Sequence, residues 1–323
     1  MKTYSLIIAL ATLLASSAAA DPRIEKDLRY ADRSERNVLD IYLPEGVKNP
    51  PLVVWIHGGA FRMGDKRNPE GLGALLDAGF AVASINYRLS NEAIWPAPLE
   101  DLRDAFTFLR AHAAKYGYDA SRIASFGSSA GGHLSAMAGI ALADDPKTRL
   151  AASVVWFPPI DFPTMDEDIE RTGIQRRTGR NDASDSPESA LIGATVKANP
   201  DLARAASPVT YLEKLPAGTK LPAFLIMHGA KDPFIARGQS GRLFSALLAR
   251  QDIRTLEYVL LPEGGHGSGD FQKPETIARV VSFLKANFTT GHEGGGEPDG
   301  AANGSQPIRS ETNRTSSAAG SRR

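Results

Sequence analysis

Six short runs recur along the chain that are apolar in both directions: PLVVWIH at 51–57, FAVASIN at 80–86, RIASFG at 122–127, AASVVWF at 151–157, PAFLIMH at 222–228 and LEYVLL at 256–261. Such a strand has no face to offer solvent, so it suits a parallel sheet covered by helices on each side. Between the runs the apolar period lengthens to that of a helix. Leu102, Ala105, Phe106, Leu109 and Ala113 mark one over 97–116, Leu243, Leu247 and Leu248 another over 238–250, and Ile277, Val280, Val281 and Leu284 a last one. Strand and helix in alternation predict an α/β domain with a mostly parallel central sheet. Ahead of these, NVLDIYLP alternates Leu39, Ile41 and Leu43 with polar neighbours and reads as a half-buried edge strand.

Two stretches break the rhythm. Residues 161–220 are long, polar and rich in Pro, Asp and Ser, with weak helical patches near 188–206; they read as a lid-like insertion in a domain spanning 21–290. From 291 to 323 apolar content nearly vanishes, and the segment is expected to be a disordered tail. Residues 1–20 place Lys2 before an apolar run from Leu6 to Leu14 and small residues at Ala18 and Ala20. That order predicts a signal peptide cleaved after Ala20, and hence a secreted or periplasmic protein; the run is too short to span a bilayer. Asn287, Asn303 and Asn313 each open an N-x-S/T sequon.

The 323 residues carry 37 basic and 37 acidic side chains, so the field that would attract nucleic acid or an anionic membrane is missing. There is no cysteine, which excludes disulfides and thiol catalysis.

One run ends abruptly. RIASFGSSAGGHLSA passes from strand to small-residue helix with only GSSAG between them, the G-x-S-x-G pattern of a nucleophile elbow. Small neighbours let the backbone double back, which makes Ser129 the candidate nucleophile and Ser128 a spacer. A serine hydroxyl needs a general base, and the base needs a carboxylate to fix its tautomer. Of the six histidines, His292 lies in the tail and His112 on an amphipathic helix. His133 follows Ser129 by one turn, where it would line or support the site, and His57 and His228 end strands, where imidazoles tie down backbone. His266 sits in the flexible EGGHGSG loop after the last strand. Asp232, in the turn after PAFLIMH, lies between serine and histidine in chain order, as an elbow of this type requires. The tetrahedral intermediate needs backbone donors. HGGAF at the end of the first buried run supplies Gly58 and Gly59, and the N–H of Ala130 completes the oxyanion hole. Phe61, Trp95, Trp156 and Phe157 fall at or near strand ends and are candidate substrate contacts.

HGGAF, GSSAGG, HGAKD and GGHG, in that order, resemble the α/β-hydrolase fold, and within it the esterase/lipase group with an HGG oxyanion loop related to hormone-sensitive lipase. With DSPESALIG and ASPVTYL, the chain is similar to the acetyl-xylan and feruloyl esterase-like branch over about residues 27–288. Two departures stand out: Ala60 occupies a position that is often a third glycine, and Ser128 one that is often aspartate. The resemblance implies a secreted serine esterase using Ser129, His266 and Asp232, without metal or organic cofactor, on a small-molecule or oligosaccharide ester of acetyl or feruloyl type. An amidase or exopeptidase would use the same triad. A non-catalytic binding module of this fold would be expected to lack one of its members.

Overall fold

The computed structural model describes residues 22–250 and 252–289. Strands β1 (Arg23–Arg29), β2 (Val38–Leu43), β3 (Pro51–Ile56), β4 (Ala81–Ile85), β5 (Asp119–Ser128), β6 (Ala152–Trp156), β7 (Ala223–Gly229) and β8 (Leu256–Leu261) form one sheet in the order β1-β2-β4-β3-β5-β6-β7-β8. The pairings from β4 through β3 to β8 are all parallel, while β1–β2 and β2–β4 are antiparallel. Strands β4, β6 and β7 are buried at every position, as their unbroken apolar text requires.

The helices are α1 (Leu72–Asp77), α2 (Ala97–Tyr116), α3 (Ala130–Ala141), α4 (Met165–Thr172), α5 (Pro187–Ile192), α6 (Pro200–Ala205), α7 (Pro208–Lys214), α8 (Arg237–Leu248), α9 (Gly269–Gln272) and α10 (Pro274–Thr289). Leu102, Phe106 and Leu109 of α2 pack with Leu134 and Met137 of α3 on one face of the sheet; Val280 and Leu284 of α10 pack with Phe126 and Trp156 on the other. This is the mostly parallel, helix-flanked sheet of the α/β-hydrolase fold.

The β2 reading needs correction. Val38–Leu43 is interior, because β1 covers its outer side. Asp40 is therefore buried, and it tolerates burial by accepting from the Lys66 ammonium at 2.7 Å and the Asp27 amide at 2.8 Å. The true edge, RIEKDLR, is mostly exposed and carries too little apolar alternation to announce itself.

Residues 161–220 hold α4 to α7. Their side chains Phe162, Met165, Leu191, Ile192 and Val196 join the core shared with α2 and α3, and α7 packs on α3 and α8. Asn287 is 5% exposed and its amide donates to the Phe283 carbonyl, so the first sequon is closed to a glycan as folded. The expected signal peptide, the tail, Asn303 and Asn313 lie outside the described residues.

Candidate active site

The site stands at the carboxyl ends of β3, β5, β7 and β8, where open parallel sheets generally bind ligands. At the end of β5 the chain reverses through Ser129, which has φ 55° and ψ −121° before α3 begins at Ala130. A non-glycine residue in that conformation costs about 1–3 kcal/mol, which the surrounding packing must offset. The packing does so by backbone contact. A β-carbon on Gly131 would lie 2.0 Å from the Ile56 carbonyl oxygen, one on Gly127 2.1 Å from that of Gly131, and one on Gly132 2.5 Å from that of Trp156. No side chain fits at these three positions, so the elbow's small residues are a steric demand. The Ser129 amide donates to the Trp156 carbonyl at 2.9 Å, fixing the turn against β6.

From this perch the Ser129 hydroxyl donates to His266 Nε2 at 2.9 Å, and His266 Nδ1 donates to Asp232 Oδ2 at 2.7 Å. The two loops that carry His266 and Asp232 touch through main chain: a β-carbon on Gly229 would meet the Gly264 oxygen at 2.4 Å, and the Lys231 amide donates to that oxygen at 2.9 Å. Asp232 is 1% exposed, and its Oδ1 accepts the amides of Phe234 and Ile235 at 2.8 and 3.0 Å. Burial alone would raise the carboxyl. Hydrogen bonds from His228 and His266 outweigh it, and they hold Asp232 far below the usual carboxylate range, ionised at any working pH. Phe157 and Phe234 flank the imidazole, with ring centroids 4.7 and 5.3 Å away.

On the facing loop, Gly59 has φ 112°, and a β-carbon there would lie 2.2 Å from the Met63 carbonyl oxygen; one on Gly58 would lie 2.9 Å from that of Ser128. Gly58 is thus required for HGGAF to lie against the elbow, and Gly59 for the loop's own turn onto Met63. Ala130 is the first residue of α3, so its N–H has no partner within the helix and sits at the positive end of the helix dipole. Gly58 and Ala130 are in this way brought beside Ser129, with Gly59 following Gly58 in the loop. Ala60, at φ 54°, lines the cavity in front of the serine.

His57, His228 and His133 are structural. His57 Nδ1 donates to the Gly58 carbonyl at 2.6 Å, and burial pushes the imidazole down to about 4. His228 Nε2 donates to the Ile235 carbonyl at 2.9 Å and lies 3.4 Å from Asp232 Oδ2, so it steadies the acid's turn. His133 is fully buried, stacks on Phe162, and donates from Nε2 to the Ala206 carbonyl at 2.7 Å; burial pushes it down to about 4 as well.

A cavity of about 310 Å³ opens over Ser129 and His266. Of the four aromatic candidates, only Phe61 lines it. Trp156 is fully buried between Phe126 and Phe271, because β6 is covered on both faces and its last residue has no open side. Trp95 is spent on His133 and Tyr211, and Phe157 packs on His266 and Phe271 behind the cavity. The sequence reading missed Phe234, Ile235, Arg62 and Glu188 in the lining. It also missed Glu70, which accepts from the spacer Ser128 hydroxyl at 3.2 Å; burial raises its carboxyl against the pull of that hydrogen bond and of His266. Glu188 lies inside DSPESALIG, the one local signal that could have pointed to it.

The BD-FAE family profile matches residues 39–247. Among curated relatives, Mycobacterium tuberculosis "Esterase LipQ" is 29% identical over 278 residues, covering 81% of this chain and 61% of that protein. "Probable carboxylic ester hydrolase LipM" of the same organism is 28% identical, covering 83% and 62%. The chain thus spans less than two thirds of the length of these relatives. Among solved structures, a "Truncated form of carbohydrate esterase from gut microbiota" superposes with a TM-score of 0.72 at 30% identity, covering 85% of this chain and 99% of that one. A bifunctional GH43-CE protein of Bacteroides eggerthii gives 0.71 at 32% identity, covering 82% and 35%.

Proposed function

The chain belongs to the BD-FAE family, and from that premise we propose that it is a serine carboxylic-ester hydrolase acting on short-chain acyl esters of carbohydrate alcohols. The observation that carries the proposal is the unbroken hydrogen-bonded line from Ser129 Oγ through His266 to Asp232, opening into a cavity.

In the proposed reaction the Ser129 oxygen attacks the ester carbonyl carbon while its proton passes to His266 Nε2. The carbonyl oxygen gains a negative charge and is held by the main-chain N–H groups of the Gly58–Gly59 loop and Ala130. Loss of one such donor typically costs about 10² to 10³ in rate. Asp232, kept ionised, stabilises the imidazolium and preserves the tautomer with its proton on Nδ1. The C–O bond to the alcohol then breaks as His266 returns the proton to the leaving oxygen. Water, deprotonated by the same imidazole, hydrolyses the acyl-enzyme and restores Ser129.

Cavity size and lining support a short acyl group: about 310 Å³, with Phe61, Pro159, Phe234 and Ile235 as apolar surface. The carbohydrate esterases among the similar structures support a sugar alcohol. The test is turnover of p-nitrophenyl acetate and of acetylated xylo-oligosaccharides by the wild type and by Ser129→Ala. Turnover of both by the wild type and neither by the variant is expected. Wild-type activity in Ser129→Ala would overturn the mechanism, and faster release from long-chain acylglycerols than from xylo-oligosaccharides would overturn the substrate class. Export through the expected signal peptide belongs to the same proposal. N-terminal sequencing of the mature protein should begin at Asp21, and a mature protein that retains Met1 would refute it.

A further inference from the structure

The cavity lining is of two chemical kinds, carried by different parts of the chain. Ala60, Phe61, Pro159, Phe234 and Ile235 give apolar surface that suits an acyl chain, while the segment 178–188 brings Thr178, Asn181 and Glu188. Glu188 is the unusual member. It is 5% exposed although it belongs to the lining, and its Oε2 is buried without a hydrogen-bond partner among the described residues. Native proteins leave few buried polar atoms unpaired, and each one calls for an explanation such as a ligand that completes it. The mechanism has no use for Glu188, since the triad and the oxyanion loop are complete without it.

The surroundings keep the carboxyl where it is. Arg62, which leaves the oxyanion loop directly after Phe61, donates to the Asp185 and Ser186 carbonyls at 2.6 and 2.7 Å and so pins the start of α5 to the catalytic side. The Ser186 hydroxyl accepts the Ser189 amide at 3.0 Å and caps that helix. Burial pushes the Glu188 carboxyl up to about 7; the Asp166 charge adds to the rise, and the Asn181 side chain and Arg62 oppose it. A carboxyl that keeps its proton presents one O–H donor beside one acceptor, the same pair that a sugar hydroxyl presents.

We infer that the Glu188 side of the cavity is the subsite for the leaving alcohol, and that it selects a polyhydroxylated alcohol through a paired hydrogen bond between Glu188 and one of that alcohol's free hydroxyls. The inference rests on the esterase reading for its orientation. An acetyl group has no donor to offer, whereas a feruloyl group carries a phenolic hydroxyl on the acyl side, so the experiment must separate the two sources.

Three esters do this: p-nitrophenyl acetate without free hydroxyls, a mono-O-acetylated methyl β-xyloside with hydroxyls on the alcohol, and methyl ferulate with one on the acyl group. The readout is kcat/KM for the xyloside relative to p-nitrophenyl acetate. In Glu188→Leu this ratio should fall at least ~10-fold, chiefly through KM, the scale of one well-placed hydrogen bond. In Glu188→Gln, whose amide keeps a donor and an acceptor, most of it should return. An unchanged ratio, equal loss on all three esters, or a loss confined to methyl ferulate would overturn the subsite. A second readout does not need turnover: in the Ser129→Ala background, calorimetric affinity for the acetylated xyloside should weaken at least ~10-fold on adding Glu188→Leu, and an unchanged affinity overturns the inference. If the wild type hydrolyses none of the esters while this binding difference is seen, the esterase reading fails and the subsite stands.

Discussion

The two sides of the cavity are built on different physical principles. The catalytic side is held by main chain pressed on main chain: Gly127, Gly131, Gly132, Gly58 and Gly229 each sit where a β-carbon would meet a carbonyl oxygen at 2.9 Å or less. The cap over residues 161–220 is held by side chains reaching across sequence. Asp168 pairs with Arg242 at 2.7 Å, Asp166 accepts the amides of Asn181 and Asp182 at 2.9 and 2.8 Å, and Arg62 ties α5 down. Proton transfer over less than 3 Å tolerates little displacement, and close-packed backbone offers little. Recognition can be retuned by changing one side chain. The lesson is that rigidity is placed where bonds break, and adjustable polar contacts where a substrate is chosen.

Three experiments would break or sharpen that contrast. The largest effect is expected from Asp232→Asn, which keeps the shape but loses the charge and the tautomer: kcat should drop about 10⁴-fold in a folded protein. A drop below tenfold in stopped-flow or steady-state assays would mean that another carboxylate, such as Glu70, which interacts electrostatically with His266, serves the histidine. Next comes a pair of glycine substitutions read by thermal unfolding. Gly131→Ala forces its new methyl onto the Ile56 carbonyl and should destabilise by about 3 kcal/mol or more, whereas Gly179→Ala in the cap, with nothing within 4 Å, should stay within about 0.5 kcal/mol. Equal losses would erase the distinction between the two sides.

The third experiment uses two buried titratable groups that pull in opposite directions. Glu188 has its folded-state pKa raised to about 7 from an ordinary 4.5, so the stability it permits is full below 4.5 and lost as pH rises through 7. Glu188→Gln should therefore raise Tm more at pH 8 than at pH 4.5, with a ceiling of about 3.5 kcal/mol at ~1.4 kcal/mol for each tenfold change in proton affinity. A benefit equal at both pH values would contradict the burial of that carboxyl. The smallest effect is expected from His133, lowered to about 4 from 6.5: its contribution is full above 6.5 and lost as pH falls towards 4. Replacing it with Gln, which can still donate to the Ala206 carbonyl, should flatten that acid limb of the Tm profile; an unchanged slope would show that His133 does not set it.

Much of the catalytic side was legible because steric necessity leaves marks in adjacent residues. G-x-S-x-G, HGG and the glycines around His266 are short-range text for backbone contacts, and Asp232 followed from chain order. The cap was opaque for the opposite reason. Arg62 meets its carbonyl partners more than 120 residues away, and nothing local announces such a contact. Trp156 misled because a residue at the end of a strand can face either a site or a core, and a sheet covered on both faces gave it only core. Asp40 misled similarly: a polar residue in an alternating strand suggests solvent until a distant lysine is brought to it.

The central claim is that Ser129 is a nucleophile activated by His266. Incubation of the folded protein with a fluorophosphonate, followed by peptide mass mapping, tests it most directly. A single phosphonyl adduct on Ser129, lost in His266→Ala, is the expected result. No adduct on the folded wild type, or one on Ser128 or any other serine with Ser129 unmodified, would contradict it.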